Sequence, residues 1–551
     1  MIKNILILIG AILIVSCRQP VSNPLSVEWI IDTNVQSSGY TNVITIFNAA
    51  EKKLDNNWII YFNQFPHHLE MPEKSPVSIE HINGTYFKLY PTQYYVPVEK
   101  DDTLTIICRS KNKYAGKSFL PDGAYIVFTE NGKESTPKSL QINVKGCNEI
   151  MNNSYTDVIY EEFEKLNNPV KLKYTDIIPS IKKVEEVKQQ PPFIFTQDIN
   201  IIDETGYINE ANILRQSLTN QFGCKISNAA KTKIIIEKTK NDEKVYNKEH
   251  YFLTVADDHI SIKGENSHAI FNGVQTLLAL LSNKSLPAEL DQIKISDYPD
   301  FEYRGLMVDV ARNFTKKDDM LKLIDILAMY KMNVLHLHLT DDEGWRIQIP
   351  DIEELTEVGA RRGHSKDEAH FLFPAYGSGW DPQNTLSLGN GYYTKQDYIE
   401  ILRYANARHI SIVPEIDLPG HARAAIVAMK ARYNKYKDSD PLKAKEYLLS
   451  EHADTSKYKS VQSYSDNVIN IALPSSYRFI EKVITELAKM HNEAGIELNM
   501  IHIGGDEVPK GVWEGSPECK KLMQMLDITD PGSLKDYFVN EVLKITEPQN
   551  I

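Results

Sequence analysis

The chain has 551 residues, too many for one hydrophobic core, and about 150 residues per domain suggests three or four domains. Its net charge of -13 is spread along the sequence rather than gathered in one segment. This argues against a nucleic-acid partner, which would call for a clustered basic face.

The first 17 residues have the layout of an export signal. A short basic start, residues 1–3, precedes an apolar run, residues 5–15, that is too short to span a bilayer. The ending Ile-Val-Ser-Cys17 resembles a bacterial lipoprotein signal, which implies a lipid-modified Cys17. We therefore expect an exported protein anchored to the outer membrane or the periplasmic face. The alternative is an ordinary secretory signal with an incidental cysteine.

Residues 24–147 predict an antiparallel β-sandwich. Short alternating apolar runs recur between turn residues at the intervals typical of this fold, residues 43–47, 58–62, 104–107, 124–128 and 140–144. Cys108 and Cys147 share this domain, so a disulfide and a buried free thiol both remain open. The cysteines show no zinc-binding spacing, and no metal site or cofactor is predicted.

Two further segments precede the last domain. Residues 148–192 are polar and rich in Lys and Glu, which predicts a linker with a solvated face. Residues 193–297 mix strands and helices and predict an α+β domain. Its strands are expected at residues 198–202, 233–236, 251–255 and 260–263, and its helices at residues 210–222 and 268–281.

Residues 298–551 alternate strands with helices, which predicts a (β/α)8 TIM barrel and makes the whole protein multidomain. Apolar runs predict strands at residues 304–310, 334–339, 410–416 and 500–503. Only about four strand/helix units are counted, so we expect the N-terminal half of a barrel. Because a half-barrel has unpaired strand edges, we expect either that the sequence is truncated within the barrel or that a second copy or another polypeptide completes it.

The fourth predicted strand ends in Gly504-Gly505-Asp506-Glu507. Carboxylates at the C-terminal end of a barrel strand are well placed for catalysis, and the repulsion between two adjacent ones lets one stay protonated as an acid. The alternative is a helix N-cap. Together with Trp513, the segment His-Ile-Gly-Gly-Asp-Glu resembles the signature of glycoside hydrolase family 20, the β-N-acetylhexosaminidases.

This resemblance implies roles for the pair. Glu507 would be the general acid/base, and Asp506 would orient the substrate's 2-acetamido group, which itself attacks the anomeric carbon. Neighbouring carboxylates are poorly placed to flank a sugar from both faces, and this family is an exception to the two-carboxylate rule. Trp29 and the Trp58 stretch resemble the N-terminal sandwich of chitobiase-type members, considered carbohydrate-binding there, although a spacer is favoured here.

Three other strand ends carry polar residues that resemble family motifs. Arg304 resembles an arginine that forks onto sugar hydroxyls, with a salt bridge as the alternative. Asp341 or Asp342 would support the histidine after the third strand. Asp417 and His421 would belong to a hydrogen-bonded chain that reaches the acid.

The resemblance implies an exo-β-N-acetylhexosaminidase acting on terminal GlcNAc or GalNAc of glycans or chitooligosaccharides. The aromatic residues that surround the acetamide in family members belong to later strands and are missing from this sequence. The first rival is therefore an inactive carbohydrate-binding lipoprotein. The second is a metal-dependent barrel hydrolase, because His336 and His338 form an H-x-H pair on one strand face.

Overall fold

The computed structural model describes residues 25–32, 40–65, 69–110, 119–146, 161–162, 174, 177–239 and 244–551. The chain divides into two compact units, Met1–Asn153 and Ser154–Ile551. The lipidation predicted for Cys17 and a disulfide through Cys147 fall outside the described residues. Within those residues, no helix combines the length and apolar composition needed to cross a bilayer.

The first unit consists of two β-sheets that share one core. Its strands are β1 (Leu25–Asp32), β2 (Tyr40–Asn48), β3 (Trp58–Asn63), β4 (Leu69–Glu70), β5 (Val77–Asn83), β6 (Tyr86–Pro91), β7 (Thr103–Ser110), β8 (Asp122–Glu130), β9 (Lys133–Glu134), β10 (Lys138–Ser139) and β11 (Ile142–Lys145). One sheet has the order β11-β1-β2-β7-β4, and the other has the order β10-β8-β3-β6-β5 with β9 on β8. The alternating burial along β2 is what a strand between core and solvent requires.

Both tryptophans of this unit lie in its core. Trp29 and Trp58 are each 1% exposed, and Trp29 packs edge-on against Phe62 of the opposite sheet at 5.5 Å. Their indole N–H groups donate to Asn42 Oδ1 (2.9 Å) and to the Tyr95 hydroxyl (3.1 Å). Neither ring is therefore available as a sugar-binding surface. Cys108 is a buried free thiol, and burial raises its pKa to about 12.

The second unit begins with a seven-stranded sheet. Its elements are β12 (Lys183–Glu186), β13 (Phe193–Phe195), β14 (Asp198–Asp203), α1 (Ile208–Phe222), β15 (Lys225–Ile226), β16 (Thr232–Lys238), β17 (Tyr251–Val255), β18 (His259–Gly264), α2 (Ser267–Leu281), β19 (Ala288–Leu290) and β20 (Ile293–Asp297). The sheet has the order β12-β20-β17-β18-β16-β14-β15, and β13 pairs with β19. Strand β12 lies within the predicted linker. The Lys/Glu-rich run is thus partly an edge strand, paired antiparallel with β20.

The remaining residues form a parallel α/β assembly. Its elements are β21 (Gly305–Asp309), α3 (Lys317–Met329), β22 (Val334–His338), β23 (Thr340–Asp341), β24 (Gly344–Trp345), α4 (Glu354–Glu357), α5 (Lys395–Asn406), β25 (Ser411–Glu415), α6 (Arg423–Tyr436), α7 (Pro441–Lys445), α8 (Pro474–Ala494), α9 (Pro517–Met525) and α10 (Leu534–Thr546), with 3-10 turns at Pro531–Ser533 and Glu547–Gln549. Strands β21, β22 and β25 pair in parallel in that order. A capping box between Thr394 and Asp397 starts α5.

The fourth predicted strand is present only as a parallel bridge. His502 pairs with Glu415, and its backbone exchanges hydrogen bonds with Pro414 and Ile416, each at 3.0 Å. Within the described residues, no strand pairs with the other edge of this segment. Gly504 and Gly505 then take positive φ values of +67° and +102°, which ends the extended backbone.

Candidate active site

The polar cluster lies where the parallel strands end. The segment after β21 contributes Arg312, the β22–β23 segment contributes Asp341, and the loop after β25 contributes Asp417 and His421. The segment after the bridge at His502 contributes Asp506 and Glu507. The C-terminal ends of parallel strands are where α/β enzymes place their chemistry, so this arrangement is the candidate active site.

Asp341 is the hub of the cluster. Its Oδ2 accepts from His338 Nε2 and lies the same 2.7 Å from Arg312 Nη2, while its Oδ1 accepts from His421 Nδ1 at 3.1 Å. Burial alone would raise the pKa of Asp341, but the two histidines and the Arg312 charge hold it well below its usual range. An ionised carboxylate thus contacts His421.

His421 connects this carboxylate to Glu507. Its Nδ1 lies 3.1 Å from Asp341 and 3.6 Å from Asp342, and its Nε2 lies 3.4 Å from Glu507 Oε2. Burial lowers the pKa of His421, but the hydrogen bond to Asp341 and the surrounding carboxylates raise it to about 10. The imidazole is therefore protonated at neutral pH, and Asp341 rather than Asp342 is its hydrogen-bonded support.

Asp342 plays a different part. It is buried and accepts from Asn467 Nδ2 (2.9 Å) and from the backbone N–H of Arg423 (3.2 Å). Burial and the charges of Asp341 and Glu343 raise its pKa well above the usual range. Asp342 therefore ties the segment after β23 to the loops that carry Arg423 and Asn467, and it is one of the carboxylates that raise the pKa of His421.

Glu507 occupies the accessible edge of the cluster. Its side chain is 37% exposed, and its Oε2 accepts from Gln462 Nε2 at 2.7 Å. Its backbone φ is +47°, an uncommon value for a residue with a side chain and one that often marks a functional position. Asp506 beside it is also exposed. Both carboxylates can therefore reach a ligand from solvent.

Asp417 packs directly against the glycine pair. Its Oδ1 accepts from the Gly505 N–H at 3.3 Å, and its own N–H donates to Thr340 Oγ1 at 3.1 Å. Burial raises the pKa of Asp417 to about 7; the charges of Asp341 and Asp506 add to this, while His421 opposes it. Asp417 thus couples the loop after β25 to the segment that carries Glu507.

Arg304 does not join this cluster, contrary to prediction. It precedes β21, at the opposite end of that strand, where it pairs with Glu249 and donates from Nε to Lys331 O at 2.7 Å. The guanidinium in the cluster is that of Arg312, which also contacts Asp309 (2.9 Å) and Glu343 (3.1 Å). The direction of β21 was the signal that distinguishes these arginines, because only Arg312 follows the strand's C-terminal end.

A second polar row lies one layer below, on the strands themselves. Glu415 lies 2.7 Å from His336 Nε2, 2.8 Å from His338 Nδ1 and 2.8 Å from His502 Nδ1. Burial lowers the pKa of His338, but Asp341 and Glu415 raise it to about 10. Donor atoms of His336, Glu415 and His502 lie within 4.8 Å of one another, so these three residues could hold a divalent metal ion. The two histidines of the H-x-H pair therefore differ in role. His336 could bind a metal ion, whereas His338 is protonated and lies between the carboxylates of Asp341 and Glu415.

Comparison with known proteins assigns each segment. Residues 301–551 match the glycosyl hydrolase family 20 catalytic domain, residues 174–298 match domain 2 of the same family, and residues 31–155 match its carbohydrate-binding domain. The architecture is therefore a carbohydrate-binding domain, domain 2 and a catalytic domain.

Relatives and solved structures agree with this architecture. The chain is 45% identical to β-hexosaminidase B of Pseudoalteromonas piscicida over 303 residues, 55% of this chain and 38% of that protein. It is 32% identical to a β-hexosaminidase of Vibrio vulnificus over 547 residues, 93% of this chain and 62% of that protein. It also resembles the exo-β-N-acetylglucosaminidase of Vibrio harveyi solved with N-acetylglucosamine, with a TM-score of 0.77, 27% identity, and coverage of 96% of this chain and 75% of that one. The chain spans less than two thirds of the length of these two curated relatives. On these matches and the site geometry, the chain belongs to glycosyl hydrolase family 20.

Proposed function

We propose that the chain is an exo-β-N-acetylhexosaminidase that removes terminal GlcNAc or GalNAc from glycans and chitooligosaccharides. The observation that carries the proposal is the line of contacts from Asp341 through His421 to Glu507. It ends at an exposed carboxyl group at the C-terminal edge of a parallel sheet. Family membership supports the same activity.

Glu507 acts as the general acid. It gives its proton to the glycosidic oxygen as the bond to the anomeric carbon breaks, and the electron pair of that bond stays with the departing oxygen. Glu507 is left as a carboxylate, 3.4 Å from the positively charged His421. Because His421 keeps its proton through its contact with Asp341, it stabilises this new negative charge where it forms.

Asp506 is the second carboxylate of the proposed reaction, and it binds the acetamide group of the substrate. Neighbours on one chain are poorly placed to flank a sugar from opposite faces, so a second protein carboxylate is not the nucleophile. We assign the attack to the acetamide oxygen of the substrate, with Asp506 accepting a hydrogen bond from the acetamide N–H. Water then attacks the anomeric carbon, gives a proton to the Glu507 carboxylate and breaks the bond to the acetamide oxygen; the two displacements give overall retention of configuration, and no cofactor takes part.

The test is hydrolysis of a GlcNAc disaccharide, whose leaving sugar alcohol needs a proton, by the 551-residue chain and by Glu507→Gln. Loss of a general acid costs about 10²–10⁴ in rate, so the variant should fall by that factor. Glu514→Gln, an exposed carboxylate a few residues away, is the matched control and should match the wild type. Glycan binding without any hydrolysis by the wild-type chain would favour the inactive carbohydrate-binding protein instead.

Cys17 is the proposed point of membrane attachment. The support is the signal-like sequence before it, since these residues lie outside those that the structure describes. In a bacterial host, metabolic labelling with palmitate should mark the wild-type protein and leave Cys17→Ser unlabelled. Equal labelling of both would contradict the lipid anchor.

A further inference from the structure

Glu507 is contacted by a residue from a loop far away in the sequence. Gln462 lies between α7 and α8, and its Nε2 donates to Glu507 Oε2 at 2.7 Å. This contact is shorter than the 3.4 Å between Glu507 and His421 Nε2. An amide that donates to a carboxylate makes a charge-assisted hydrogen bond, the stronger class of such bonds in proteins.

The turn that presents Gln462 is closed on itself. The Ser460 N–H donates to Tyr464 O at 2.8 Å, and the Tyr464 N–H donates to Ser460 Oγ at 3.0 Å. Ser463 takes a left-handed φ of +68° to close the turn. These contacts fix the backbone on both sides of Gln462, so the turn sets the direction in which the Gln462 side chain points.

The same turn is fastened to the base of the candidate active site. The hydroxyl of the buried Tyr464 donates to Glu343 Oε1 at 3.1 Å, and Glu343 in turn contacts Arg312. The Arg423 guanidinium lies 5.4 Å from the centre of the Tyr464 ring. The position of Gln462 is therefore tied to the cluster that holds Asp341 and His421.

We infer that Gln462 is a positioning residue that holds the Glu507 carboxyl group in line with the glycosidic oxygen; this rests on the proposed function. The amide carries both a donor and an acceptor, and Gln462 Oε1 is buried with no hydrogen-bond partner among the described residues. By reversing its amide, Gln462 can donate to the carboxylate or accept from the carboxylic acid. It can thus hold Glu507 before and after proton transfer, which His421, with a donor on each nitrogen, cannot do.

This role predicts a dependence on the leaving group. A sugar alcohol leaves only when it is protonated, so its departure needs a well-placed acid. A dinitrophenolate leaves as a stable anion and does not need the acid. A residue that only stabilises the fold would affect both substrates equally.

The test compares the wild type, Gln462→Leu and Val461→Ala on a GlcNAc disaccharide and on dinitrophenyl GlcNAc. Leu keeps the approximate size of Gln and removes both hydrogen-bonding groups, while Val461 is the 62% exposed neighbour in the same turn. We expect kcat for Gln462→Leu to fall about tenfold or more on the disaccharide, the factor that one hydrogen bond to a charged group supplies. It should stay within about twofold on the dinitrophenyl substrate, and Val461→Ala should match the wild type on both.

Equal losses on the two substrates, or no loss on either, would overturn the inference while leaving the hydrolase activity established. A wild-type chain that hydrolyses neither substrate would contradict the proposed function itself. A crystal structure then tests the contact between Gln462 and Glu507 independently of activity. An amide of Gln462 beyond hydrogen-bonding distance of Glu507 overturns it, and an amide within that distance supports it.

Discussion

The contact between Gly504 and Asp417 leads to a sharp mutational prediction. A Cβ added at Gly504 would lie 2.9 Å from the Asp417 Cα and closer still to its carboxyl group, whereas real Cβ atoms stay beyond 3.0 Å. Because the Asp417 backbone is part of the clash, rotation of its side chain alone cannot relieve it. Either the loop after β25 or the segment 504–507 must move in Gly504→Ala.

The size of the effect follows from how catalysis depends on position. A displacement of about 1 Å at a reacting group can cost about 100-fold in rate, so kcat/KM for nitrophenyl GlcNAc should fall by about that factor. The left-handed backbone adds a stability cost of about 1–2 kcal/mol for any residue with a Cβ. Chemical denaturation measures this second effect separately from activity.

Gly505→Ala is the matched control. Its φ of +102° imposes comparable backbone strain, but among the described residues no atom other than those of its two chain neighbours lies within 4 Å of the added Cβ. We therefore expect a similar loss of stability with much higher residual activity. The reasoning is refuted if the two variants show equal kcat/KM values, because contact with Asp417 would then be irrelevant to the placement of Glu507.

Three further predictions concern charge and metal. In Asp341→Asn, His421 loses its hydrogen-bonded partner while Asp342 and Asp417 remain, so its pKa should drop from about 10 toward its ordinary 6.5; a histidine NMR titration in which the pKa of His421 is unchanged would contradict this. The folded pKa of Asp417, about 7, exceeds its ordinary value of 3.8, so its ionisation weakens the fold as pH rises between these values. Asp417→Asn should therefore be more stable than the wild type at pH 8, by up to about 4 kcal/mol, with the gap closing near pH 4 in denaturation experiments. Chelators should leave hydrolysis unchanged, and a loss that added Zn²⁺ restores would assign the His336, Glu415 and His502 set to a required metal ion.

Much of the fold could be predicted because its strands are short apolar runs bounded by turn residues. The strand at Tyr251–Val255 has its predicted bounds, and helix α2 begins within one residue of its expected start. Strand β12 was missed since an edge strand solvated on both faces has the charged composition of a linker. Residues 500–503 have strand-like composition, but pairing partners decide whether a ladder forms, and the part of the chain that the structure describes gives this segment only one bridge.

The candidate site also contains residues that the sequence predicted and residues that it did not. His421, Glu507 and the pair Asp341 and Asp342 could be placed at one site because each follows a predicted strand, and strand direction brings the strand ends together. The sequence left open which of the two aspartates supports His421. Arg304 was predicted as a site residue and Arg312 was not, because a guanidinium is typical of anion or hydroxyl binding at any position, while the end of the strand at which it lies decides what it contacts. Gln462 could not be predicted from the sequence, since it belongs to a long irregular loop without periodicity and reaches Glu507 only because of the turn around it.

The most direct measurement of the central claim is a crystal structure of the chain with bound GlcNAc. The account predicts the anomeric oxygen within hydrogen-bonding distance of the Glu507 carboxyl group and the acetamide N–H facing Asp506. A sugar bound in the same cluster with its acetamide turned away from Asp506, or bound only elsewhere on the chain, would contradict it.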